Sequence, residues 1–102
     1  MFHAHIELVD VESEINTNDR TCDLSLFGCH VEPTRSWSLG TEIRLKITHK
    51  GAIFTAFGRI ANVRRNGSVG VEFIDVADKD QLVLEKWMAE LREEAGQHSK
   101  IS

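Results

Sequence analysis

Apolar residues in this chain keep one period over most of its length and then switch to another, and that switch limits the folds open to it. From Glu42 to Thr48, Ile43, Leu45 and Ile47 alternate with Arg44, Lys46 and Thr48. A period of two belongs to an antiparallel strand with one buried face. Val69, Val71 and Phe73 alternate with Gly70 and Glu72 in the same way. Past Asp78 the spacing becomes helical. Leu84, Trp87, Met88, Leu91 and Ala95 fall at i, i+3, i+4, i+7 and i+11, one face of a helix. Asp78 stands at the N-cap with Gln81 three residues on, and Gly96 is a natural stop.

Turn signals divide the strand-forming part. Residues 4 to 12 predict a first strand, with a phase shift near Leu8-Val9 of the kind seen at a bulge or a sheet edge. Ser13 to Asp19 is a turn by composition. A second strand runs from Arg20 onward, and a third from about Cys29 to Glu32, where Pro33 removes a ladder donor. Thr34 to Thr41 is a loop that carries Trp37. His49-Lys50-Gly51 and Asn66-Gly67 are hairpin turns. The strand between them, Ala52 to Arg64, has either Phe54 or Phe57 facing in and a bend allowed by Gly58. The expected fold is all-β with a C-terminal helix: a small six-stranded antiparallel β-barrel capped by one α-helix. One domain covers residues 1–96, and 97–102 form a flexible tail.

Charge and composition exclude several functions. The net charge of −4 argues against a general nucleic-acid binder, which needs a basic face for phosphates. The two tryptophans and the lack of tyrosine give no aromatic-basic interleaving for single strands. No apolar run approaches the ~20 residues that span a membrane. Met1-Phe2-His3-Ala4-His5 lacks the basic and apolar regions of a signal peptide, so the expected compartment is cytoplasmic. Cys22 and Cys29 are too few for a disulfide scaffold. His3, His5, Cys22, Cys29 and His30 match no zinc spacing, so no metal is expected. A nucleophile elbow, a P-loop and a plausible Ser-His-Asp set are all missing, so the chain does not read as an enzyme.

The stretch that carries function is Asp23-Leu24-Ser25-Leu26-Phe27-Gly28. Asp and Ser fold back onto nearby backbone amides and stabilise a turn on their own. Gly28 permits positive φ or the close approach of another backbone. By spacing alone this is a structural turn. It also groups a carboxylate, a hydroxyl and a bare glycine, a set that can read a polar ligand.

The stretch resembles the D-x-S-x-x-G motif of PilZ domains, bacterial receptors for cyclic di-GMP. Gly70-Val71-Glu72-Phe73 is similar to that family's late G-V-E-F strand, and the C-terminal helix follows in the same order. The resemblance covers roughly residues 5 to 92. It implies a ligand site in which Asp23 accepts from a guanine edge, Ser25 hydrogen-bonds base or backbone, and Gly28 allows close approach. The family's R-x-x-x-R motif has no match ahead of the first strand here. The guanidinium groups that could serve are Arg20, Arg64 and Arg65, although each also reads as a surface charge. The implied function is a signalling module, either a cyclic di-GMP receptor or a non-binding relative, that regulates a partner protein and needs no cofactor. The alternative is a ligand-independent adaptor, for which Trp37, expected half exposed in its polar loop, is the candidate partner-binding residue.

Overall fold

A computed structural model describes Phe2 and residues 4–101, apart from the side chains of Cys22 and of 94–101. Its strands are β1 (Ala4–Asp10), β2 (Asn16–Leu24), β3 (Gly28–Glu32), β4 (Glu42–His49), β5 (Ala52–Val63) and β6 (Val69–Asp75), followed by helix α1 (Asp78–Ile101). The strands close into a barrel in the order β1-β2-β3-β6-β5-β4. Every neighbouring pair is antiparallel, and β1 meets β4 to shut the ring. Closure gives each described strand two partners and leaves no sheet edge to aggregate.

The alternation decides which side chains fill the barrel. Ile43, Leu45 and Ile47 of β4, Ile6 and Leu8 of β1, Phe54 and Ile60 of β5, and Val69 and Val71 of β6 are all buried. Phe54 is the inward aromatic of β5, and Phe57 is 50% exposed. Helix α1 caps the end where β4 turns into β5. Its Leu84 and Trp87 are buried there, with the Trp87 ring centroid 5.5 Å from Phe2 and 6.4 Å from Phe54. The helix is fastened to β5 by Asp80, whose Oδ1 accepts the Thr55 amide at 2.9 Å and the Thr55 hydroxyl at 3.2 Å. The first helical carbonyl bond runs from Gln81 N to Ala77 O.

Four expectations need correction. The phase of β1 does not shift: Ile6 and Leu8 face in, Glu7 and Val9 face out, and both flanks are paired in continuous register. The irregularity lies in β2, where the pairing with β3 slips between Thr21 and Asp23. The polar run before Arg20 is not all turn. Asn16 to Asp19 is the first half of β2, because Thr17, Asp19 and Thr21 point into the barrel. Burial of polar groups is offset by hydrogen bonds only in part: Asp19 Oδ1 accepts the Thr34 amide at 2.8 Å and Thr21 Oγ1 the Ala4 amide at 3.2 Å, while Thr17 Oγ1 and Asp19 Oδ2 make no hydrogen bond among the described residues. Trp37 is 5% exposed, not half exposed. It lies under Arg35, whose guanidinium carbon is 4.8 Å from the ring centroid. Finally, Gly96 does not stop α1, which runs on to Ile101.

Two hairpins follow their turn chemistry. Lys50 and Gly51 have φ of 50° and 80°, the two-residue turn whose twist suits antiparallel strands. At Asn66-Gly67 only the glycine is left-handed, at 89°. Arg64 accepts the Gly67 amide and donates its own amide to the Ser68 carbonyl, a turn with a glycine bulge. The β1–β2 turn is held by Asp10, whose Oδ1 accepts the amides of Glu12 at 2.9 Å and Ser13 at 3.3 Å.

Candidate ligand-binding site

The D-x-S-x-x-G stretch is the hairpin between β2 and β3, and its geometry follows from its residue types. Ser25 Oγ accepts the amides of Phe27 at 3.1 Å and Gly28 at 3.2 Å, while the Ser25 amide donates to the Gly28 carbonyl at 2.9 Å. The hydroxyl therefore closes the turn. Asp23 Oδ1 accepts the Leu24 amide at 3.0 Å, and its carboxylate remains exposed. Gly28 pairs with Glu72 across β3–β6, and a Cβ at position 28 would strike the Val71 carbonyl oxygen. Only a bare residue lets β6 come this close. The Phe27 carbonyl accepts the Phe73 amide at 2.8 Å, and the Phe27 ring is 79% exposed.

Behind this turn the outer face of β3, β6 and β5 forms a concavity of about 350 Å³. Asp23, Ser25 and Gly28 line it, as do His30, Asn62 and Glu72. Of the three arginines singled out in the sequence, Arg64 comes nearest, with Nη2 3.2 Å from His30 Nε2. A guanidinium only donates, so His30 Nε2 is the acceptor in that contact. Arg20 is exposed on β2 opposite His5 and Glu32, and Arg65 lies at the exposed hairpin tip; neither lines the concavity. Glu72 faces Arg59 at 3.3 Å, an ion pair with both side chains about half exposed. Such a pair adds little stability, but it offsets one of the two carboxylates at the site.

His30 and Asn62 are lining residues that residue types alone do not mark. Their signal is register: once β3, β6 and β5 are aligned, both fall on the outward face beside Asp23. A second concavity, of about 470 Å³, lies on the outer face of β1, β4 and β5 under the start of α1, between Arg44, Lys46 and Phe57. It shares no lining residue with the first. Among the described residues no three of His, Cys, Asp and Glu gather as a metal site would require. No helix among them is long and apolar enough to cross a membrane.

Comparison with known proteins bears on the fold and the family. The family model described as PilZ domain matches residues 2–90. The crystal structure of the PilZ domain of CeSA from a cellulose-synthesizing bacterium superposes with a TM-score of 0.70 at 19% identity, covering 89% of this chain and 94% of that one. The PilZ domain of YcgR from Escherichia coli, with c-di-GMP, also gives 0.70, at 12% identity, covering 95% of this chain and 88% of that one. No curated protein matches the chain.

Proposed function

The chain belongs to the PilZ domain family, a family of cyclic di-GMP receptors, and on that footing we propose that it is a signalling module that binds cyclic di-GMP in the concavity beside the β2–β3 hairpin and passes the bound state to a partner protein. The observation that carries this reading is the placement of Asp23, Ser25 and Gly28 on one wall of a cavity of about 350 Å³. Asp23 offers an exposed carboxylate that can accept from a guanine edge. Ser25 and Gly28 set the turn that presents it. Arg64 supplies a fork of donors for a phosphate next to the same cavity.

Arg20 and Arg65 stay in this reading only as charges that attract an anionic ligand from a distance. In the adaptor alternative the contact surface would be the exposed Phe27 and Leu26 at the hairpin, because Trp37 is buried.

The test is calorimetric titration of cyclic di-GMP into the chain and into Asp23→Ala. Loss of a charge-assisted hydrogen bond costs about 1.5–3 kcal/mol, so the variant should bind on the order of 10- to 100-fold more weakly. Saturable binding that is unchanged in Asp23→Ala would move the ligand elsewhere. No heat at high ligand concentration would overturn the receptor reading in favour of the adaptor.

A further inference from the structure

We propose that the ligand site continues beyond the motif turn along a strip of outward side chains, Asp23, His30 and Asn62, ending at Arg64, and that the strip reads one guanine base and its phosphate. The inference rests on the reading that this concavity takes cyclic di-GMP, and names the residues that would discriminate it.

Register builds the strip. Asp23 of β2 pairs with His30 of β3, His30 with Gly70 of β6, and Gly70 with Asn62 of β5. One residue from each of four strands therefore lies in line across the outer face. Gly70 contributes no side chain, and the Asn62 carboxamide lies over it: a Cβ there would be 3.0 Å from both Asn62 Nδ2 and Oδ1. The row is thus a carboxylate, an imidazole and a carboxamide over a bare floor.

Those groups match one base better than another. A carboxylate accepts from the N1–H and N2–H₂ of guanine, and a carboxamide can donate to its O6. Adenine presents a donor where guanine has O6 and lacks the N1 proton. The exposed ring of Phe27 stands at the Asp23 end, where a base could stack. At the other end Arg64 spends one of its five N–H donors on His30 Nε2 and keeps the rest for a phosphate. Charge sets the polarity of the strip. Asp23 keeps a phosphate away from the first end, and Glu72, the other carboxylate at the site, is offset by Arg59. His30 acts as a positioning residue that aims the guanidinium.

The experiment titrates cyclic di-GMP and cyclic di-AMP into the full chain and into Asn62→Ala, Arg64→Ala, His30→Ala and the Arg64→Ala/His30→Ala pair. All are surface changes, and circular dichroism checks that each folds. Arg64→Ala should weaken both ligands at least about tenfold. Asn62→Ala should weaken cyclic di-GMP alone and so narrow the preference for guanine. His30→Ala should weaken binding only while Arg64 is present, so that the double variant matches Arg64→Ala. Loss in Asp23→Ala with no loss in the other variants would overturn the strip and leave the receptor reading intact. If the wild-type chain ignores cyclic di-GMP, that reading falls, and titration with guanosine monophosphate followed by NMR decides the strip. Shifts at residues 30, 62 and 64 would uphold it, and their absence would overturn it.

Discussion

At the scale of single residues, the motif is first a solution to a packing problem. Gly28 is required because β6 approaches so closely that any side chain would meet the Val71 carbonyl. Gly28→Ala should destabilise the domain by about 1–3 kcal/mol, as overpacking does, with a lower urea midpoint and an unchanged slope. Ser25→Ala removes the acceptor for two turn amides and should cost about 1 kcal/mol even with no ligand present. That is why Asp23, and not Ser25, is the cleaner probe of binding. Asp10 gives a pH test. The amide of Glu12, and more weakly that of Ser13, holds its carboxyl below the ordinary value of 3.8. A depressed carboxyl contributes stability that is complete above that ordinary value and lost as pH falls through the lower folded value. Asp10→Asn should therefore narrow the stability gap to wild type as pH is lowered below about 3.8, measured by urea unfolding from pH 5 to pH 2.5.

At the scale of elements, alternation made β4, β6 and the apolar face of α1 legible, because each buries one clean face, while β5 was legible as a strand but not in which of its faces turns inward. The first half of β2 was not legible, since its inward residues are Thr17 and Asp19. Polar side chains aimed into a barrel look like a turn until their partners are known, and one of those partners, the Thr34 amide, is 15 residues away. Trp37 misled for a related reason. Its polar neighbours Ser36 and Ser38 are exposed, while the indole itself turns inward. The motif turn was readable from local chemistry, but His30 and Asn62 became visible only through cross-strand register. Asp80 was missed in favour of Asp78, because a carboxylate that caps a helix and one that ties it to a strand share a sequence signal. Asp80→Ala would remove the buried carboxylate that accepts the Thr55 amide and hydroxyl. It should cost about 1–3 kcal/mol and speed hydrogen exchange in the first turn of α1 before it does so in the barrel.

At the scale of the whole molecule, closure of six strands builds a rigid support and α1 plugs one end of it. The outer face of β3, β6 and β5 is then free to vary its outward residues without disturbing the core, and this is the face that carries the candidate site. The fold shared with the CeSA and YcgR domains at 19% and 12% identity shows how little of the sequence the barrel itself demands. The central claim is that ligand binds on that face, beside the β2–β3 hairpin. The most direct measurement is a two-dimensional amide NMR titration of the chain with cyclic di-GMP. The account predicts shifts concentrated at residues 23–30, 62, 64 and 70–72, with little change on β1 and β4. Shifts gathered instead around Arg44, Lys46 and Phe57 would contradict it, as would a spectrum that does not move.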